Sequence, residues 1–474
     1  MLAAVLVGLW WTWRHPFIGL GLLVAGMAFH SFLLMVLLAL GTPTALVRAF
    51  QVWKELILAA LTLFALVAIW HERRRGGAVR LNTTDWLALA FAVLTIVYFL
   101  IPGSILHSGA NLSQRLVGFR IAFLIPLLYF LGRRIALAAD RQQLVVVWMC
   151  VGAGAIVAIL GLIELFLVPT HVWIDWGVTR YTSFLGFSYH GPRSLPENFF
   201  VTLADGSLLR RMVSTYISPL GIAYTGILLF PMGVALIDYY ASDPRARRLA
   251  GAALTLVTVG VLLSVTRLAL LGILGEAALL AVILRQGWLI AAVPILVVSV
   301  IVISFPYTSI GPAVDRSLAV VHRSGWQWVV TGHAPDTSTQ EHYDYVIRDL
   351  KVDFEHPLGL GTGASTVRYG QLVGTGESAV LSMFGDLGVV GGVVYVALYL
   401  LAIWNGFRAF WRVPTHSIRR ALPLTAFVGG LGLIPITGTS DVWGDLSVTF
   451  LFWWAAGASA TVAAARNVSE TGVS

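Results

Sequence analysis

Charge is what this sequence has least of. Only 11% of its 474 residues are Asp, Glu, Lys or Arg, against about a quarter in soluble globular domains. A soluble globular protein is thereby excluded, and with it a basic nucleic-acid-binding domain. Lysine is nearly absent: Lys54 and Lys351 are the only two among 31 basic residues. The single cysteine, Cys150, lies in an apolar run and excludes a disulfide framework. The N-terminus MLAAVLVGLWWTWRH lacks a basic leader region and a small-residue cleavage site, so no cleaved signal peptide is expected. There is no HExxH or paired-His motif, no internal repeat and no low-complexity linker. The run GLGTG lacks the Lys-Ser/Thr that a nucleotide phosphate loop needs, so nucleotide binding is not expected.

What is present is hydrophobicity: 58% of residues are apolar. A helical span needs about 20 such residues, with roughly 17 as a minimum. Candidate spans are Phe17–Leu40, Glu55–Trp70, Asp85–Ile101, Leu116–Leu131, Leu144–Val168, Ile217–Ile237, Leu249–Val265, Leu268–Leu284, Gly287–Phe305, Ser378–Ile403, Ala421–Pro435 and Leu446–Ala465. This predicts an all-α polytopic membrane protein of about 12 transmembrane helices, or 13 if Met1–Trp13 forms a further short or re-entrant element. The chain reads as one membrane domain, 1–474, interrupted by two long polar loops at 170–213 and 306–377.

Arginine sets the orientation. Clusters at Arg73, Arg74, Arg75 and Arg80, at Arg133, Arg134 and Arg141, at Arg245, Arg247 and Arg248, at Arg285, and at Arg408, Arg412, Arg419 and Arg420 all fall on one side. That side and the C-terminus are therefore expected to be cytoplasmic, with both long loops outside and the side of the N-terminus open. Within the second loop Tyr343, Val346, Ile347, Leu350 and Phe354 recur at helical spacing, which predicts a short amphipathic helix. Pro357 with Gly359, Gly361 and Gly363 then predicts a tight turn.

The candidates for chemistry are the charges at the outer ends of the spans, where burial makes charge costly. Arg267 joins two apolar runs in LLSVTRLALLGILGE. It fits either a snorkelling interfacial residue or a clamp whose planar fork suits phosphate oxygens. Arg210 and Arg211 precede the span near Ile217. Adjacent residues diverge by about 100° on a helix, so one of the pair at most, preferably Arg211, faces a shared site. Arg120, inside VGFRIAFLIPLLYF, must pair or face a polar cavity; Glu164 and a substrate phosphate are both open as partners. Glu377 opens the span ESAVLSMFGDLGVVGGVVYV, where it fits a helix-dipole contact or a general base. Asp386, about 13 Å deeper on that helix, is not expected to share its site. His333, His342 and His356 with Asp336, Asp344, Asp349, Asp353 and Glu355 match no metal-ligand spacing, and no metal site is expected. The loop aromatics Trp173, Trp176, Tyr181, Phe184, Phe187, Tyr189, Trp326 and Trp328 fit interface anchors or platforms for sugar rings.

Three segments resemble the bacterial O-antigen ligase and polymerase family of membrane glycosyltransferases. RMVSTYISPLGIAYTGILL is similar to the family's Arg-containing start of a span after an outer loop, with Ser218-Pro219 where an Asn-Pro is usual. LLSVTRLALLGIL is similar to its Ser-x-x-Arg segment through Ser264 and Arg267. HPLGLGTG followed by ESAVLSMFGDLGVVGGVVY resembles its closing signature through Leu387, Gly388 and Gly391. The resemblance implies a GT-C-like architecture in the bacterial inner membrane, with the active site facing the periplasm. It implies transfer of a glycan from undecaprenyl pyrophosphate to an acceptor sugar hydroxyl, with inversion and without metal, nucleotide sugar or redox cofactor. Arg267 and Arg211, with Arg120 and Arg210, would bind the pyrophosphate, and Glu377 would be the base. Family ligases usually carry His where this chain has Glu377, and often Asn where it has Ser378, which favours a polymerase. A ligase acting on lipid A core or another acceptor is the alternative within the class. A transporter or flippase of lipid-linked sugars is the alternative outside it.

Overall fold

The structure is a computed structural model, and it describes residues 2–76, 81–135, 139–186, 195–202, 208–304, 337–365 and 377–464. Eleven of its helices are long and apolar enough to cross a membrane. The chain is a polytopic α-helical membrane protein. After a short helix α1 (Leu2–Arg14) come α2 (Pro16–Ala39), α3 (Thr44–Gln51), α4 (Trp53–Arg74), α5 (Thr83–Leu100), α6 (Leu112–Arg134) and α7 (Asp140–Leu167). The short helices α8 (His171–Asp175) and α9 (Val178–Leu185) and an antiparallel strand pair, β1 (Phe200–Thr202) with β2 (Leu208–Arg210), occupy the first long loop. Then follow α10 (Pro219–Tyr239), α11 (Pro244–Leu263), α12 (Arg267–Leu284), α13 (Gly287–Ser304), α14 (Thr337–Glu355) and α15 (Ala379–Arg412). The last two are α16 (Ile418–Thr437), which carries a π-helical turn at Thr425–Gly429, and α17 (Leu446–Ala464). Eleven of the expected spans are thus present. The expected span at Gly287–Phe305 is α13, whose apolar stretch Gly287–Ile301 is shorter. Of the expected element Met1–Trp13, Leu2–Trp13 falls in α1, which packs on α2 and α4, and Met1 lies outside the described residues.

Successive spans alternate in direction, so both long loops lie at one end of the bundle, the loop end, and the arginine clusters at the other. Polar stitches close the arginine end. The Arg133 guanidinium grips both Asp85 carboxylate oxygens at 2.8 Å, and Tyr129 donates to the same carboxylate at 2.7 Å. Arg134 pairs with Glu72 at 2.7 Å and Arg419 with Asp140 at 2.6 Å. A cleft of about 350 Å³ near Asp238, Gln286 and His416 also lies at that end, away from the loops.

The core is made by α10, α16 and α17, which are buried along most of their length. Trp443, Trp453 and Trp454 are fully enclosed there, and Tyr399 packs against Phe452 and Trp453. Small residues let the backbones approach: a side chain on Gly457 would meet the Tyr129 carbonyl, and one on Gly132 the Trp454 carbonyl.

The described part of the second loop, 337–365, folds back into the bundle. Its expected amphipathic helix is α14, but Tyr343, Ile347, Leu350 and Phe354 are exposed, and the face carrying Asp349 is the buried one. The expected turn follows, with Gly359, Gly361 and Gly363 at φ of 79°, 93° and 77°. These backbones are open to glycine and strained for other residues. The turn enters a break in α15 at Gly388 (φ 68°). Leu360 N–H donates to the Gly385 carbonyl, Gly361 N–H to that of Asp386, and Val389 N–H to that of Pro357. The Asp386 carboxylate accepts from the N–H groups of Gly363 (2.6 Å), Ala364 (3.1 Å) and Ser365 (2.9 Å) and from the Ser365 hydroxyl (2.6 Å). Backbone N–H groups arranged in this way form an anion-binding nest. Here the protein's own carboxylate fills it.

Candidate functional site

The corner between α11 and α12 supports the site. Ser264 is fully buried, and its hydroxyl donates to the Val261 carbonyl at 2.7 Å. Val265 takes a left-handed φ of 49°, which turns the chain sharply enough to start α12 at Arg267. Arg211 docks on this corner. Its Nε donates to the Ser264 carbonyl and its Nη2 to the Thr266 hydroxyl, each at 2.7 Å. Its backbone N–H bonds the Phe199 carbonyl, and that of Met212 bonds the Leu263 carbonyl. Arg267, exposed at the first position of α12, is close enough to Arg211 to act on it electrostatically. Burial is the largest influence on Arg211 and pushes it down to about 10; Tyr224 opposes that shift and Arg267 adds to it. Arg211 therefore stays charged at neutral pH.

Successive residues at the end of a strand point in opposite directions, and the two adjacent arginines separate accordingly. Arg210 turns away and forms a buried ion pair with Glu164. It also donates to the Val168 carbonyl at 2.6 Å, while Trp173 Nε1 donates to Glu164 at 3.1 Å. Such a pair holds the first loop on α7, and breaking one side would strand a buried charge. Glu164 is thereby committed to Arg210 rather than to Arg120. Arg120 is exposed on α6, close enough to Lys54 and His30 to interact with both.

Glu377 is half-buried and immediately precedes the cap of α15. Ser378 caps that helix by accepting from Leu381 N–H at 3.1 Å, and it donates to the Thr437 carbonyl at 3.2 Å. Ala379 N–H bonds the Ser440 carbonyl at 3.1 Å, so the loop after α16 fixes where Glu377 stands. That loop reaches α10 as well, where the Tyr224 hydroxyl bonds Ser440 Oγ at 3.0 Å. Tyr224 interacts electrostatically with Arg211, Asp445 and Glu377. Arg211, Arg267, Tyr224 and Glu377 are thus linked at the loop end, Arg211 to Arg267 and Tyr224, and Tyr224 to Glu377, by electrostatic interaction. Asp445 borders these residues, since a side chain on Gly221 in the first turn of α10 would meet Asp445 Oδ2 at 3.0 Å. Burial and Asp445 together push the Tyr216 phenol up.

Tyr224, Ser440 and Asp445 escaped the sequence reading. Tyr224 is hidden in an apolar run. The polar stretch TGTSDVWGD between the last two spans (437–445) is the signal that points to the other two. Asp386 lies off this set and serves the glycine turn. Among the described residues no group of His, Cys, Asp and Glu is placed to hold a metal ion. His333, Asp336, Phe187, Tyr189, Trp326 and Trp328 lie outside the described residues. In comparisons with known proteins, no family model and no curated protein matches this chain.

Proposed function

We propose that the protein is a membrane glycosyltransferase of GT-C-like architecture that polymerises a polysaccharide. It would move a glycan from undecaprenyl pyrophosphate to a sugar hydroxyl at the outer leaflet of a bacterial inner membrane. The observation that carries this reading is the connected set of Arg211, Arg267, Tyr224 and Glu377. The orientation rests on the arginine clusters, which the positive-inside rule assigns to the cytoplasm, so that the loop end faces the periplasm.

In this reading Arg267 offers its exposed fork to the pyrophosphate, and Arg211 adds positive charge from its fixed position on the 264–266 corner. Both stabilise the charge that builds on the leaving group. Glu377 takes the proton from the acceptor hydroxyl, whose oxygen forms a bond to the anomeric carbon. The bond from that carbon to the pyrophosphate oxygen breaks, and its electron pair leaves with the lipid. Attack opposite the leaving group inverts the centre. Tyr224, held through Ser440 and within electrostatic reach of both Arg211 and Glu377, orients the two halves.

The test is release of undecaprenyl pyrophosphate by purified protein in liposomes, comparing wild type with Arg267→Ala. Loss of an electrostatic donor of this kind costs about 10²–10³ in rate. The variant is expected to fold normally and to lose turnover; near-normal release would remove the clamp. A ligase would use the same donor chemistry, and product found only on a separate supplied acceptor would assign that activity instead.

A further inference from the structure

The cleft of about 350 Å³ at the arginine end takes no part in the chemistry proposed above. Its walls come from the end of α10 (Asp238), the first turn of α11 (Arg247), the start of α13 (Gln286, Gly287, Trp288) and the loop before α16 (His416). Ligand pockets span about 300–1,000 Å³, and this one is at the small end. Four of its side chains form one hydrogen-bonded chain. Trp288 Nε1 donates to Gln286 Oε1, and Gln286 Nε2 donates to Asp238 Oδ1 at 2.5 Å. His416 Nδ1 lies 3.0 Å from the same Oδ1 and 3.2 Å from the Asp238 carbonyl. Both of those partners accept, so Nδ1 carries the proton.

The chain leaves one acceptor unused. Asp238 is only 5% exposed, and both bonds to its side chain end on Oδ1. Its Oδ2 takes no hydrogen bond among the described residues. Arg420 acts on Asp238 electrostatically but makes no ion pair with it, its Nε donating to the Val413 carbonyl at 3.2 Å. A buried carboxylate short of donors is costly, and it calls for a donor from outside. In the neutral His416 ring Nε2 is a further acceptor. The cation in the lining is Arg247, which is exposed and whose guanidinium makes no hydrogen bond or ion pair among the described residues. The cleft thus pairs acceptors suited to an ammonium with a planar fork suited to a phosphate. A simple anion would meet the Asp238 carboxylate as well as Arg247; a head group carrying both charges meets each with its opposite. The Trp288 indole in the wall also attracts cations.

An apolar track leads from the cleft into the bilayer. Gly287, Ile290, Pro294, Val298 and Ile301 follow one another at three- and four-residue spacing on α13, and all five are exposed. They lie on one face of that helix. A soluble zwitterion has no use for such a face, whereas an acyl chain does.

We propose that this cleft is a lipid site, and that it holds the zwitterionic phosphoethanolamine head group of a phospholipid from the leaflet at the arginine end. The ammonium bonds Asp238 Oδ2, the phosphate takes the Arg247 guanidinium, and an acyl chain lies along the exposed face of α13. The bound lipid ties the start of α13 to the end of α10. This site is independent of the glycosyltransferase reading, since it shares no residue with the set at the loop end.

The experiment titrates the full-length protein in detergent with phosphatidylethanolamine and, separately, with phosphatidylglycerol, and reads the tightest bound lipid by native mass spectrometry. Asp238→Asn keeps the oxygen that Gln286 uses and removes the charge. It is expected to weaken phosphatidylethanolamine by about tenfold or more, the loss of one charge-assisted bond, and to leave phosphatidylglycerol no weaker than in wild type. Arg247→Gln is the safe variant for folding, because the exposed side chain has no partner to lose. It is expected to weaken phosphatidylethanolamine by a similar factor, and Arg247→Lys to keep most of the affinity. Unchanged phosphatidylethanolamine binding in Arg247→Gln, or in an Asp238→Asn protein that melts as wild type does, would overturn the proposal. An equal loss of both lipids in Asp238→Asn would overturn it too, because the carboxylate would then not be recognising an ammonium. Should Asp238→Asn fail to fold, Arg247→Gln decides alone. Soluble phosphoethanolamine is expected to bind at least tenfold more weakly than the lipid; equal binding would assign the cleft to a soluble zwitterion and overturn the lipid assignment.

Discussion

Replacing Asp386 with Ala tests whether the glycine turn is held as the geometry indicates. The carboxylate accepts from three backbone N–H groups and one hydroxyl, at 2.6 to 3.1 Å, in a buried position. Alanine leaves the three N–H groups of Gly363, Ala364 and Ser365 without an acceptor. Each unsatisfied buried donor costs about 1–3 kcal/mol, so the turn should lose on the order of 3 kcal/mol even at the low end. Local opening would then rise by roughly 100-fold or more. Asp386→Asn should cost less, about 1–3 kcal/mol, because the amide keeps one acceptor oxygen but sets its NH₂ against a backbone donor. Hydrogen exchange of the 357–365 peptide, read by mass spectrometry, measures this directly. The expected order of exchange is alanine fastest, asparagine between and wild type slowest. Exchange in Asp386→Ala at the wild-type rate would refute the filled-nest account. Because the same turn bonds α5 through Tyr98 and α6 through Thr362, the alanine variant should also lose activity, although it touches neither Arg211 nor Arg267.

Other outcomes follow from the same geometry. Arg210→Ala should destabilise the fold by about 3–5 kcal/mol, because it leaves Glu164 buried and unpaired; a melting temperature equal to wild type would contradict that role. Gly118→Ala would bring a methyl within 2.2 Å of the Gly363 nitrogen, so it should displace the turn and abolish activity, which a turnover assay reads. Asp353 on α14 is pushed up to about 7, first by burial and then by Asp349 and Asp386. A carboxyl raised in the folded state stabilises below its unfolded value near 4 and loses that contribution as pH rises through about 7. Docking of α14 should therefore weaken as pH rises from about 4 to about 7 and level off above that. Protection of its amides, corrected for the base-catalysed rise in intrinsic exchange, should fall from about pH 5 to about pH 7 in wild type and stay level in Asp353→Asn.

The spans were legible in the sequence because an apolar run long enough to cross a bilayer has few other uses, and the arginines mark its ends. The turn at Pro357–Gly363 was legible for a local reason, since glycines at alternate positions allow backbone that other residues resist. Partners across the fold were not legible. Glu164 was open as the partner of Arg120 because both sit in apolar runs, yet the first loop brings Arg210 back to it over 46 positions. The stripe on α14 was found by its period, but period does not say which face meets protein, and here the face bearing Asp349 does. Arg211, Arg267 and Glu377 were picked out by charge at span ends. Tyr224 was missed because a tyrosine inside a span looks like packing until its hydroxyl is seen on Ser440.

The most direct measurement of the central claim supplies purified protein in liposomes with one lipid-linked repeat unit and no other acceptor, then separates the products by length. The account predicts a ladder of increasing chain length with wild type and none with Glu377→Gln. An undiminished ladder with Glu377→Gln would contradict the assigned base, and no ladder with wild type on its own repeat unit would contradict polymerisation itself.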